Sequence, residues 1–255
     1  MNNKIITIDG PAGSGKTTVG KMLETSLEGG CACISSGLVY RMLADGFKDW
    51  DRFQSVGKLP PGFRTVHQIM KLNNWKFHGT EVAYDNTKMG EYQWDSITES
   101  FYGEKVDKAS SKVAKNPVCR RLVSMFLKRY IKKITRFDPG WPEKYMQGHG
   151  YTDRLIPEWQ DVYPEYIVVE GRDIGSVVFP DAKWKIYLDA SLQARVGRRN
   201  KERDGAGDGI SARDREDMER EASPLIVPRG AFVIDSTSMG LEDVVEKIVN
   251  YVKKS

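Results

Sequence analysis

No apolar run in the 255-residue chain approaches the roughly 20 residues that a membrane-spanning helix needs. The opening MNNKIITIDG has neither the cationic stretch nor the apolar core of a secretory leader, so a cytoplasmic protein is expected. Cysteine is scarce. Cys31, Cys33 and Cys119 are odd in number and follow no scaffold spacing, which argues for reduced thiols rather than disulfides. His67, His78 and His149 are scattered, so a four-ligand structural zinc site is not expected. Charge of one sign is also missing: 39 Lys and Arg against 35 Asp and Glu leave a net +4, too little to argue for a nucleic-acid partner. Neither an internal repeat nor a low-complexity tract is present.

What remains is a globular balance, 40% hydrophobic and 29% charged, able to bury a sizeable core. Lys4 to Asp9 reads as a short buried strand, followed by a glycine-rich turn and a helix from Lys16 to Leu27. Ala32 to Ile34 suggests a second strand and Leu38 to Phe47 a second helix. The pattern weakens from about 48 to 102, apart from a small hairpin over Trp75 to Tyr84. Pro117 to Ile134 reads as an amphipathic helix whose apolar face carries Leu122, Met125, Phe126, Tyr130 and Ile134. The stretch from Thr135 to Glu165 is irregular yet holds six aromatics, which predicts an ordered excursion packed on the body. Strands at Tyr166 to Val169, Lys185 to Leu188 and Phe232 to Ile234 then alternate with helices at Leu192 to Arg203, Ser211 to Ala222 and Leu241 to Val252. That alternation predicts an α/β fold with a parallel sheet flanked by helices.

Gly10-Pro11-Ala12-Gly13-Ser14-Gly15-Lys16-Thr17 matches G-x-x-x-x-G-K-[ST] at every fixed position, between a strand and a helix. Glycines let the backbone curl so that several N–H groups point at one phosphate, and the helix N-terminus adds positive potential. Lys16 supplies a point charge to the β- and γ-phosphates, and the Thr17 hydroxyl can ligate Mg²⁺. With Thr18 these residues form the expected ATP site, on a loop where Lys16 should bury little. The fold implied is that of a P-loop NTPase.

The reaction class comes from exclusions and from arginine. A regulatory GTPase would normally carry Asn-Lys-x-Asp, and Asn200-Lys201-Glu202-Arg203 lacks the Asp. Arg195, Arg198, Arg199, Arg203, Arg213, Arg215 and Arg220 surround the glycine-rich Asp204 to Gly209, which suits a mobile lid closing on phosphates. The plainer alternative is a solvated pair of charged helices. A small kinase is the expected activity.

Ile6 to Thr18, Ser36-Gly37-Leu38-Val39-Tyr40-Arg41, Ser111 to Ala114, Pro117 to Arg120, Glu170 to Asp181, Arg213 to Leu225 and Val233 to Thr237 together resemble the bacterial cytidylate kinase family. The string Gly171-Arg172-Asp173-Ile174-Gly175 is the most specific of these. The resemblance implies transfer of the γ-phosphoryl of Mg·ATP to CMP or dCMP. It implies that Arg41, Arg172 and Arg220 hold the acceptor phosphate, and that Ser111, Arg120 and Asp173 read the cytosine edge. Asp217 would meet the sugar, Arg213 would approach the phosphates at the lid, and Ser36, Gly37 and Tyr40 would line the acceptor. Lys16, Arg172 and Arg213 are then the catalytic set. A guanidinium fork suits phosphate, and a carboxylate accepts an exocyclic amine. For Arg172 and Asp173, the plainer reading is a mutual ion pair.

The implied organisation is a kinase core over 1–47 and 103–255, an acceptor-binding insert at 48–102, a lid at about 199–213 and an aromatic-rich insertion at about 135–165. A monomer is expected. Four departures from the family pattern stand out. Ser35 replaces an aspartate before Ser36-Gly37, Tyr102 stands roughly where an arginine is expected, the lid is short, and the aromatic excursion replaces a brief turn. A kinase for another small acceptor and a non-catalytic ATP-binding protein stay as alternatives.

Overall fold

The computed structural model describes residues 4–46, 75–78, 81–84, 98–135, 164–202, 209–221 and 223–254. At its centre lies β1 (Ile5–Asp9), every residue of which is buried. Five strands form one parallel sheet: β1, β2 (Cys31–Ser35), β5 (Tyr166–Gly171), β6 (Trp184–Asp189) and β7 (Phe232–Asp235). Their order is β2-β5-β1-β6-β7, so the chain steps to opposite sides of β1 and opens a crevice at the strands' carboxyl ends. A separate antiparallel hairpin pairs β3 (Trp75–His78) with β4 (Glu81–Tyr84), as expected, and its turn lies outside the described residues.

Alternation along the strands divides the core in two. On one face Ile5, Ile34, Ile167 and Val169 meet α2 (Ser36–Gly46), α3 (Glu104–Lys115) and α4 (Pro117–Ile134). On the other, Ile6, Ile8, Val168, Ile186 and Leu188 meet α1 (Lys16–Ser26) and α7 (Leu241–Lys254) through Val19, Leu23, Val244 and Ile248. A sheet covered on both faces requires apolar residues at successive positions, which is why β1 and β5 read as continuous apolar runs. Two shorter helices, α5 (Leu192–Glu202) and α6 (Ile210–Glu219), follow β6. Among the described residues no helix is long and apolar enough to cross a membrane.

Two readings of the helices need correction. The inward face of α4 is Cys119, Val123, Leu127 and Ile131 together with Leu122, while Phe126, Tyr130 and Ile134 flank it and Met125 is exposed. The helix carries two adjacent apolar rows; Val123, Leu127 and Ile131 turn into the core shared with α2 and α3, while the aromatics are only partly buried against it. Helix α3 was absent from the sequence reading, because its inward residues Val106, Ala109 and Val113 are small and widely spaced. Asn116 separates the two helices. Its backbone is extended, as a residue before proline prefers, and its side chain accepts from the Val118 and Cys119 N–H groups at 2.9 and 3.2 Å. Nearly all of the aromatic excursion and most of the insert at 48–102 lie outside the described residues. All three cysteines are free and buried.

Candidate active site

The glycine-rich loop leaves β1 at the crevice. Gly10 and Gly13 have φ of 153° and 71°, and a Cβ on Gly10 would strike the Leu188 carbonyl oxygen at the end of β6. Lys16 opens α1. Its ammonium donates to the Pro11 carbonyl at 2.7 Å and the Ser14 hydroxyl at 3.3 Å, and only 8% of the residue is exposed. The expectation of a lysine that buries little is therefore wrong: the loop folds back over the first turn and encloses it. Burial, reinforced by the Arg172 charge, pulls its pKa down to about 7. Pro11 and Ser14 are buried, Ala12, Gly13, Gly15 and Thr17 half-buried, and Thr18 exposed.

Thr17 points at a residue that sequence reasoning missed. Its hydroxyl donates to Glu170 Oε1 at 3.1 Å, and the Ser35 hydroxyl donates to the same oxygen. Glu170 lies next to last in β5, directly across from Ser35, and is 5% exposed. A carboxylate thus stands beside Thr17 although position 35 lacks one. The available signal was an apolar strand, Ile167-Val168-Val169, ending in an acid.

The turn after β5 carries the Arg172-Asp173 pair. Asp9, at the end of β1, accepts the Ile174 and Gly175 N–H groups at 2.7 Å each and so fixes the bend. Burial pushes the Asp9 carboxyl up to about 7, against the pull of those two donors. Arg172 and Asp173 do not pair with each other. Asp173 forms a buried ion pair with Arg120, which also donates to the Ala114 carbonyl at 2.8 Å and lies 5.7 Å from the centre of the Tyr40 ring. Arg172 approaches Asp217 at 3.1 Å and Asp214 at 3.5 Å. Arg220 donates to Asp217 at 3.0 Å and to the Ser223 carbonyl, so Asp217 lies between two arginines. Burial and the like charge of Arg120 lower the Arg220 pKa.

Several polar atoms of this group are left over. Arg120 Nε and Arg220 Nη2 are buried without a hydrogen-bond partner among the described residues, while Arg172 Nη1 and Asp217 Oδ2 meet as an ion pair at 3.1 Å without hydrogen-bond alignment. Each such group costs about 1–3 kcal/mol if nothing satisfies it. Three arginines beside Asp173, Asp214 and Asp217, with donors still unfilled, make a site shaped for a polar ligand that carries an anionic group. Beside it a cavity of about 660 Å³ is lined by Lys115 and Pro117 on one side and Glu216, Glu219 and Arg220 on the other.

Other expected residues are placed differently. Arg41 is buried, donates to the Phe101 carbonyl at 3.1 Å, pairs with Asp107, and stacks 4.6 Å over the Tyr102 ring. Tyr102 thus stacks on Arg41, at a position where another arginine was expected. Ser36 is buried and Gly37 half-buried at the start of α2, and Ser111 is half-buried on α3. Arg213 lies on α6, and its side chain is outside the described part. The arginine run is not a uniform lid surface. Arg195 donates to the Ala190 and Ala12 carbonyls at 2.9 and 3.0 Å, Arg198 to the Ser236 hydroxyl at 3.0 Å, and Arg199 to Glu202 at 3.0 Å. Among the described residues no group of three or more His, Cys, Asp or Glu could hold a metal ion without further ligands.

The cytidylate kinase family pattern matches residues 6–136 and 155–254, leaving out only part of the aromatic-rich stretch and the chain ends. The chain is 31% identical to the cytidylate kinase of Mycoplasmopsis agalactiae, over all of this chain and 99% of that one. It is 32% identical to the cytidylate kinase of Thermosipho africanus, covering 97% and 93% of the two chains. It is likewise 32% identical to a probable cytidylate kinase of Vairimorpha ceranae, covering 95% and 94%. A match of this extent, running through both the glycine-rich loop and the Gly171-Arg172-Asp173 turn, decides the matter: the chain belongs to the cytidylate kinase family.

Proposed function

We propose that the protein transfers the γ-phosphoryl group of ATP to CMP or dCMP. The observation that carries this reading is the buried arginine group, Arg120, Arg172 and Arg220 around Asp173 and Asp217 with donors at Arg120 and Arg220 left unfilled, one strand away from a phosphate-binding loop with Lys16. Two anion sites at neighbouring strand ends are what phosphoryl transfer between two nucleotides requires. Gly10, Pro11, Ala12, Gly13, Ser14, Gly15, Lys16, Thr17 and Thr18 form the donor site. Thr17 and Glu170 offer an all-oxygen donor set, which fits a hard divalent cation such as Mg²⁺. When bound there, the cation supplies positive charge between the β- and γ-phosphates.

The protein's own contribution is positioning and charge. Arg172 and Arg220 hold the acceptor phosphate by two-point hydrogen bonds, and Lys16 faces the phosphoryl from the donor side. Asp173 accepts from the cytosine amine while Arg120 donates to the ring, with Tyr40 and Ser111 along the edge. Asp217 meets the sugar, and Ser36, Gly37 and Arg41 build the wall from which the acceptor is presented. Arg213 comes from α6 to stabilise the phosphoryl in flight. Residues 48–102 form the acceptor-binding insert, about 199–213 the lid, and about 135–165 an added aromatic segment, in a chain that acts as a monomer in the cytoplasm.

The test is an acceptor panel. With Mg·ATP, ADP formation is followed for CMP, dCMP, UMP, AMP, GMP and small hydroxy acids. CMP and dCMP should give kcat/KM about tenfold or more above every other acceptor, as two mispaired polar contacts imply. Equal rates with UMP, or turnover only with a non-nucleotide, would overturn the reading.

A further inference from the structure

We propose that Asp214 is a positioning residue that sets the donor loop against Arg172, so that the two anion sites face each other at a fixed distance. The inference rests on the phosphoryl-transfer reading above.

Four separate pieces of chain meet at this carboxylate. Ala12, in the middle of the glycine-rich loop, donates its N–H to Asp214 Oδ1 at 3.0 Å. The Ala12 carbonyl accepts from Arg195 Nη1 at 3.0 Å, and the same nitrogen is ion-paired with Asp214 Oδ2. One residue of the donor loop is therefore gripped at both its backbone N–H and its carbonyl by one buried ion pair. Arg195 is held in turn by the Ala190 carbonyl after β6. The next loop residue allows no slack, since a Cβ on Gly13 would sit 2.8 Å from the Arg195 carbonyl oxygen.

The other reach of Asp214 is toward the acceptor. Its Oδ1 lies 3.5 Å from Arg172 Nη1, a nitrogen that also meets Asp217 Oδ2 at 3.1 Å, so Asp214 adds a second, weaker attraction to Arg172 without a hydrogen bond of its own. Asp214 and Asp217 follow at three-residue spacing on α6 and share one face of that helix, and Arg220, the residue that caps its end, donates back to Asp217. The face that carries the proposed sugar and phosphate contacts is thus the face latched to the donor loop. Asp214 itself needs to touch neither nucleotide. It couples loop, α6 and Arg172, which the geometry would otherwise leave to three independent segments.

The sign of the effect separates positioning from mere packing. Removing the Asp214 charge frees Arg172 from a partial competitor, so acceptor binding should hold or tighten. Loss of alignment should instead appear in turnover, where a displacement near 1 Å costs about 100-fold. The wild-type protein is first shown to form CDP from CMP. If it uses another acceptor, the CMP reading fails and the comparison below is made on that acceptor, because no Asp214 contact involves the base.

Asp214→Asn is then compared with wild type for kcat, and for acceptor Kd by calorimetry without ATP. The proposal requires kcat to fall about tenfold or more while acceptor Kd stays within about threefold or tightens. Any other combination overturns it, including unchanged kcat, or kcat and affinity lost by the same factor. Should Asp214→Asn fail to fold, Arg195→Lys serves in its place, keeping the charge but losing the fork that reaches Ala12 and Ala190 together. The same pattern, with kcat down about fivefold or more, is then required.

Discussion

Replacing Asp173 by alanine should strand the Arg120 guanidinium inside the protein. Their side chains are 6% and 7% exposed, so neither charge has water to fall back on. Removing one partner of a buried pair costs about 3–5 kcal/mol. Arg120 keeps the Ala114 carbonyl and the Tyr40 ring, which places the cost at the lower end, about 3 kcal/mol. At about 2–4 °C per kcal/mol for a chain near this size, the melting midpoint should drop by about 6–12 °C. Asp173→Asn keeps the shape and one acceptor, so its loss should be about 1–2 kcal/mol. Its larger effect should be on base choice. The carboxylate accepts from the cytosine amine and repels the uracil carbonyl, whereas an amide presents either polarity. The CMP-to-UMP ratio of kcat/KM should shrink by about 5- to 150-fold, the worth of about 1–3 kcal/mol. Thermal melts and steady-state rates with both nucleotides decide this. An alanine variant melting within 2 °C of wild type would refute the buried pair. An asparagine variant with lower stability but the wild-type ratio would refute base reading by Asp173.

Glu170→Gln should raise the Mg²⁺ concentration for half-maximal rate by about tenfold, because a neutral amide is a far weaker ligand for a hard cation; an unchanged Mg²⁺ titration counts against Glu170 as its holder. Lys16→Ala should lower kcat by about 100-fold or more and also lower the melting midpoint measurably, since this lysine is buried and bridges Pro11 to Ser14. Burial pushes the Cys31 and Cys119 thiols up to about 12 and raises Cys33 as well, so none of the three should react with a disulfide reagent at pH 8 until the protein unfolds. The same shift has a stability consequence. Unfolded thiols ionise near 9 while folded ones stay protonated, so the unfolded state binds fewer protons and stability should fall as pH rises above about 9.

The strands, the glycine-rich loop and most helices were legible because each obeys one local rule: an apolar run, a fixed spacing, or a 3.6-residue period. Helix α3 was not, since Val106, Ala109 and Val113 give a thin stripe with little apolar mass. The choice of inward face on α4 was not legible either, because two apolar rows compete and only the packing on α2 and α3 selects Val123 and Leu127. Site residues within the specific string, Arg172 and Asp173, could be named from sequence. Arg120 and Asp217 could be named as well, but not that they pair with Asp173 and Arg172, and Asp214 could not be named at all, because these residues lie on helices distant in the chain. Glu170 shows the limit from the other side. It sat one residue before Gly171, but its meaning appears only when β2 and β5 pair and bring Ser35 and Thr17 to its carboxylate. Arg195 and Arg198 looked like lid residues by composition and are ties between α5, the donor loop and the strand ends.

The central claim is that the γ-phosphoryl passes directly from ATP to a cytidine monophosphate held at the Arg172-Asp173 turn. The measurement that tests it most directly is to incubate the protein with γ-labelled ATP, Mg²⁺ and CMP and to locate the label. The account predicts label in the β-phosphate of CDP, formed in step with ADP and lost in Lys16→Ala. Label recovered only as inorganic phosphate, or retained in ATP that binds without turnover, would contradict it.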